Sequence, residues 1–265
     1  MSFGYLFTAG AMPAFWMPLA IAAFLASWRG PSISRQIVAL AAAVIAGLLL
    51  TRWPIFPAWP AVGPLGRLPW LLAVDALALA FLAPRLGPLA RWALVAILLL
   101  GTAAGVAAPS FRPDQPRTPF VWLLLTLFAL ATTGRFSAEG TGGRDRLVAL
   151  LGMTLAVGLV AGLYPSRTAV HALTLLAALL GLGWGCGVRG EAVDALAAQF
   201  ALIALTGLIA AIAVLTPGRA VGLGLALAIS IAAAPPIPAR GRARLAIQGT
   251  IIVALIAAAM LMPAG

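Results

Sequence analysis

The chain has 265 residues, of which 63% are hydrophobic and 9% charged, and its mean hydropathy is +1.09. Soluble domains carry about 25% charged residues and about 45 to 50% apolar ones, so this composition excludes a soluble enzyme and is typical of a membrane protein. The net charge is +11, but the arginines lie singly or in small groups between apolar runs, so we do not expect a nucleic-acid partner.

Apolar runs long enough to cross a bilayer recur along the whole chain. Because a spanning helix takes about 20 residues, we predict an all-α, polytopic integral membrane helical bundle of about ten transmembrane helices, with a lower bound of about eight. The third, fifth and ninth runs are short, and each is a thin span, a re-entrant segment or a buried helix. The runs comprise residues 6–28, 36–52, 69–84, 90–108, 119–133, 147–164, 168–187, 192–215, 219–234 and 245–262.

We expect a single transmembrane domain over residues 1–265. The first ten residues lack the positive charge of a cleaved signal, so the first run is expected to be retained as a span. A division into five plus five helices near residue 134 would suit the internal repeats of transporters, but no motif recurs between the halves.

Two connections have unusual compositions. Residues 53–70 contain five prolines and three tryptophans, which predicts a non-helical segment at the membrane surface, either an anchoring loop or a lid over a cavity. The glycine-rich stretch at residues 181–190 predicts either a frayed helix end or a broken helix that exposes backbone groups to a substrate.

Asp75 is the clearest candidate for a functional residue. It lies six residues after Pro69, about 9 Å into the third run, where so short a side chain cannot easily reach water. Three interpretations are open: an ion pair with an arginine such as Arg67 or Arg85, a helix lying at the interface, or a proton or cation site.

Three further polar residues are candidates for a substrate or proton-coupling site. His171 lies near the start of the seventh run and is either a helix-end residue or a proton relay. Glu191, with Asp194, begins the eighth run, where helix capping is the simplest role. Gln199 follows eight residues after Glu191, so the two side chains would share a helix face at one cavity mouth.

Catalytic, metal and cofactor sites are not expected. The chain has one cysteine, Cys186, and one histidine, and its carboxylates are scattered without a close pair inside a run. We therefore predict that the protein is not an enzyme and uses no cofactor or metal.

Arginine positions indicate an orientation in the membrane. With ten spans, the odd-numbered connections hold eleven arginines and the even-numbered ones hold six. Because short arginine-rich loops stay in the cytoplasm, this distribution favours a multi-pass protein of the plasma or inner membrane with both termini outside.

Two classes of function are compatible with the sequence. The scarcity of polar residues within the runs favours a non-catalytic structural or assembly subunit of a membrane complex, with the lipid bilayer and other membrane proteins as partners. The alternative is a small secondary transporter or exporter of an unidentified small molecule, with Asp75 as its proton-coupling site.

Overall fold

The computed structural model describes residues 12–28, 32–51, 63–107, 142–162 and 168–215, and these residues are all-helical. A π-helical turn, Met12–Trp16, leads into α1, and a 3-10 turn, Ala83–Arg85, follows α3. The α-helices of the described residues are α1 (Met17–Ser27), α2 (Ser32–Leu50), α3 (Pro64–Phe81), α4 (Pro88–Ala107), α5 (Gly143–Gly162), α6 (Thr168–Val188) and α7 (Ala195–Leu215).

Four segments of the described residues are long and apolar enough to cross a membrane: Leu65–Arg85, Pro88–Val106, Ala169–Val188 and Ala195–Ile212. The all-helical prediction is confirmed for this part of the chain, whereas a count of about ten spans is not. The predicted runs 119–133, 219–234 and 245–262 lie outside the described residues.

Helix α7 is the central helix of the described bundle. It contacts α2, α3, α4, α5 and α6, and 94% of the segment Ala195–Ile212 is buried. Its only polar side chains are Gln199 and Thr206. A helix that is apolar on all sides is stable when other helices or lipid surround it, so the composition of α7 suits its central position.

Helix α4 lies at the periphery. Only 28% of the segment Pro88–Val106 is buried, and the side chains of Leu89 and Ile97 are largely exposed. The outward face of α4 is therefore apolar, as contact with lipid tails requires.

Helix α3 begins earlier than the prolines predicted. It starts at Pro64 and contains Pro69, so the expectation of non-helical structure over residues 53–70 is wrong for residues 64–70. A proline at the first helical position loses nothing, because the N–H that it lacks has no partner inside the helix. The remaining part of that segment, residues 53–62, lies outside the described residues.

The glycine-rich stretch in α6 is a packing surface, and its interpretation as a broken helix is wrong because α6 continues to Val188. A Cβ atom at Gly181 would overlap the backbone oxygen of Leu19, and one at Gly185 would lie 2.7 Å from the backbone oxygen of Ala23. Glycines four residues apart thus allow the backbones of α1 and α6 to approach closely. The turn after α6 uses Gly190, whose φ of +67° suits a residue without a Cβ atom.

We expect Gly181→Ala to destabilise the protein by about 2 kcal/mol or more, because the added methyl group would meet rigid backbone and force α1 away from α6. Gly187→Ala is the matched control on the same helix, since nothing lies within 4 Å of its Cβ position. The measurement is the free energy of unfolding in detergent micelles. Equal values for the two variants would contradict close packing of α1 on α6.

Candidate functional site

Asp75 lies deep within a candidate span. Its side chain is on α3 and the residue is 5% exposed. It stands midway between Leu65 and Arg85, about 15 Å from either end of that segment. The hydrocarbon core of a bilayer is about 30 Å thick, so a helix of this length that crossed it would place the carboxyl group near its middle. The early start of α3 therefore places Asp75 deeper than the 9 Å expected from Pro69.

The Asp75 carboxylate is bonded to a threonine of the neighbouring helix. Thr102 Oγ1, on α4, donates a hydrogen bond to Asp75 Oδ2 at 2.5 Å, and Thr102 is 1% exposed. Arg67 Nη1 donates to the carbonyl of Gly105, with 3.4 Å between the atoms. Thr102 of α4 pairs with Asp75, whereas Gly105, further along α4, pairs with Arg67, which is nearer the start of α3. The two helices are therefore antiparallel.

The ion pairs of the described residues do not include Asp75. The two pairs formed between described residues both involve Glu191, so the expected pairing of Asp75 with Arg67 or Arg85 is not found in this part of the chain. Asp75 instead accepts a hydrogen bond from the hydroxyl of Thr102. A hydroxyl group can stabilise a carboxylate by donating a hydrogen bond without neutralising its charge.

A second polar site, the helix-end cluster, consists of Arg35, Gln36, Arg189, Glu191 and Asp194. It joins the end of α1, the start of α2 and the turn between α6 and α7. Arg35 forms an ion pair with Glu191 Oε2 and has a side chain that is only 6% exposed. Arg189 Nε binds the other carboxylate oxygen at 2.9 Å.

Both arginines also satisfy the carbonyl groups at the end of α1. Arg35 donates to the carbonyl of Trp28 at 3.2 Å, and Arg189 donates to those of Ser27 and Trp28 at 3.2 and 3.1 Å. The last carbonyls of a helix lack intrahelical partners and carry partial negative charge, so cations stabilise them. Arg35 thus lies on α2 as part of the buried structure, and the count of arginines in connections, which included Arg35, treated it wrongly as a loop residue.

Gln36 connects α2 to the segment before α7. Its Nε2 donates to the carbonyl of Ala192 at 3.0 Å, and its Oε1 accepts from the backbone N–H of Asp194 at 2.8 Å. The residue is fully buried. One side-chain amide therefore pairs two backbone groups that the non-helical segment would otherwise leave without partners.

Glu191 does not cap α7 and does not share a helix face with Gln199. Helix α7 begins only at Ala195, so the helical spacing assumed between positions 191 and 199 does not apply. The hydrogen bond from Arg189, with the charge of Arg35, lowers the pKa of Glu191 below its ordinary value. Burial and the charge of Glu191 raise the pKa of Asp194, whose Oδ2 atom is buried without a hydrogen bond.

The remaining candidates, His171 and Gln199, are both buried but belong to different regions. His171 is in the first turn of α6, next to Ala172, whose Cβ atom lies against Gly158 of α5. It is separated from Val188 by about 26 Å of helix, so it lies at the opposite end of α6 from the helix-end cluster. Gln199 is one turn into α7. The four predicted site residues therefore do not form one site.

Three functional candidates were missed by the sequence analysis: Arg35, Gln36 and Thr102. Arg35 and Gln36 could have been found from the sequence, because a charged residue and an amide residue stand together at the start of an apolar run. Thr102 carried no such signal, because its importance comes from a partner on another helix. Within the described ranges, no three His, Cys, Asp or Glu side chains are grouped as a metal site requires.

We expect Arg35→Gln to lower the free energy of unfolding by about 1 to 2 kcal/mol, because it removes the buried member of a part-buried ion pair and leaves Glu191 with less compensation. Arg144→Gln, at an exposed position near the start of α5, is the control and should change stability by less than about 0.5 kcal/mol. Denaturant titration of both variants in micelles tests this. Similar small losses of unfolding free energy in both variants would show that the helix-end cluster contributes little to stability.

Acidification should selectively weaken the wild-type cluster. Since the folded-state pKa of Glu191 lies below its ordinary 4.5, its stabilising contribution is complete above that pH and is lost as the pH falls through the lowered value. The thermal unfolding midpoint of Glu191→Gln should therefore approach that of the wild type below about pH 4. A constant difference between the two proteins from pH 7 to pH 3 would contradict the pairing.

Comparison with protein-family models, with curated proteins and with solved structures finds no match. Function is therefore inferred from the contacts of this chain alone.

Proposed function

We propose that this protein is a secondary transporter or exporter of a small molecule, multi-pass in the plasma or inner membrane, in which Asp75 takes up and releases the coupling proton. One observation carries the proposal. A buried carboxylate lies midway along an apolar helix and is hydrogen-bonded to a hydroxyl group instead of paired with an arginine.

The energetic argument starts from the cost of the charge. Placing an ionised aspartate at the centre of a membrane helix costs about 2.5 to 3.5 kcal/mol even by insertion measurements, so a purely structural position would be better occupied by leucine. Reversible protonation of the carboxyl group would explain why an aspartate occupies this position. Protonation removes the cost, and deprotonation restores it.

The surroundings of Asp75 suit a proton better than a bulky ligand. Leu68, Leu72 and Leu79 of the same helix are fully buried, and Gly207 of α7 lies against Leu68 and Thr102. A proton needs no cavity, only a carboxyl oxygen and a path. The transported molecule would pass elsewhere between the helices, and the apolar interior supports an apolar compound as its class.

A second candidate is the non-catalytic subunit of a membrane complex, which one other observation favours. The buried threonines Thr154, Thr174 and Thr206 each donate to a carbonyl of their own helix, so these hydroxyl groups do not line a polar path between helices. This function predicts stable co-purification with partner chains. A protein that extracts alone as a monodisperse monomer would count against it.

The test of transport uses proteoliposomes loaded with a pH-sensitive dye and given a panel of small organic anions and apolar compounds. We expect at least one compound to drive proton movement in the wild type and Asp75→Asn to abolish it, because the amide has nearly the same shape but cannot carry a proton. Loss of at least tenfold in the initial rate is expected.

Asp145→Asn is the control, since Asp145 is near the start of α5 and outside the candidate spans. It removes the same charge and should retain wild-type proton movement. Wild-type rates in Asp75→Asn would remove Asp75 from the transport mechanism.

A further inference from the structure

We propose that Thr102 is the positioning residue of the Asp75 proton site and that its hydroxyl group changes partner with each protonation. When Asp75 is ionised, Thr102 donates across to α3, and when Asp75 is protonated, Thr102 donates to the carbonyl of Leu98 on its own helix. This inference rests on the proposed function and describes how proton binding at Asp75 changes the contact between two helices.

The other buried threonines show which hydrogen bond a threonine hydroxyl forms when no carboxylate is its partner. Thr154, Thr174 and Thr206 donate to the carbonyl four residues earlier, at 2.7, 3.1 and 2.8 Å. Thr102 differs, because its hydroxyl donates to the Asp75 carboxylate on another helix. Leu98 is four residues before Thr102, so its carbonyl offers Thr102 the same local acceptor.

The close packing around Thr102 limits what else its side chain can do. A Cβ atom at Gly207 would lie 3.0 Å from the Thr102 methyl carbon, and one at Gly105 would lie 2.9 Å from a Leu71 methyl carbon. The helices α3, α4 and α7 therefore meet closely at this level. In such packing, rotation of the small hydroxyl group displaces fewer neighbouring atoms than movement of a whole side chain or helix would.

The charged groups on α3 and on the elements packed against it have contacts of their own. Arg35 on α2 binds Glu191, Arg67 on α3 binds the carbonyl of Gly105, and Arg91 on α4 binds that of Ala83. Arg85 is exposed in the 3-10 turn after α3, and α7 has no ionisable side chain. In the described residues, Thr102 is thus the group whose hydrogen bond responds to the charge of Asp75.

The proton balance of the step is simple. One proton from the aqueous phase, carried as hydronium, forms an O–H bond on the Asp75 carboxylate, and the charge of that group rises from −1 to zero. Thr102 keeps its own proton throughout and only redirects it. The Asp75–Thr102 hydrogen bond between α3 and α4 is replaced by one within α4, so protonation removes this charge-assisted bond and leaves the bond from Arg67 to the carbonyl of Gly105 between the two helices.

The experiment is an infrared pH titration of the full-length protein in lipid nanodiscs, which follows the carboxyl band that disappears in Asp75→Asn. In Thr102→Val the pH at half protonation should rise by about one unit, a roughly tenfold change in proton affinity, because the ionised form loses its donor. Thr102→Ser should restore the wild-type midpoint. Thr206→Val is the control, since its hydroxyl bonds only to Leu202, and should leave the midpoint unchanged.

The outcomes separate this inference from the proposed function. An unchanged midpoint in Thr102→Val, with a band that still titrates, would overturn the role of Thr102 and leave Asp75 as the proton site. Absence of a titrating Asp75 band in the wild type would overturn both. If Thr102→Val does not fold, Thr102→Ser and Thr102→Ala decide between the same outcomes, since serine keeps the donor and alanine does not.

Discussion

The cost of a carboxylate in the middle of an apolar helix is the constraint on which the rest of this structure depends. An ionised aspartate there needs a donor, and the donor must come from another helix because its neighbours along α3 are leucines, alanines and a valine. Thr102 supplies it. For the two side chains to meet, α3 and α4 must be antiparallel and close, which the contact of Gly105 with Leu71 allows.

The polar contacts divide the described helices into two parts. The helix-end cluster ties α1, α2, the end of α6 and the segment before α7 by ion pairs and by the Gln36 amide. The α3–α4 pair contacts α7 through apolar packing, and its own polar links include the bond between Asp75 and Thr102 and the bond from Arg67 to the carbonyl of Gly105. A change in the charge of Asp75 therefore acts on the part of the bundle that fewer polar bonds restrain.

Local sequence patterns predicted the helices and the position of Asp75 within an apolar helix, since both depend on residue type within a short window. The partners could not be predicted in that way. Arg35 and Glu191 are 156 residues apart, and their contact is set by how α1, α2, α6 and α7 pack. The predictions for the prolines of α3 and the glycines of α6 were wrong for a related reason. Each residue was interpreted by its local effect on a helix, whereas its place in the folded bundle determines the observed structure.

We propose that Asp75 lies within the bilayer, where water does not reach its carboxyl group freely but a proton does. Carbodiimides test it directly, because they add to protonated carboxyl groups and leave a mass adduct on the modified peptide. A lipid-soluble carbodiimide should modify Asp75 in membranes, faster at lower pH, whereas a water-soluble one should modify exposed carboxyl groups and spare Asp75. Equal modification of Asp75 by the water-soluble reagent would contradict the account.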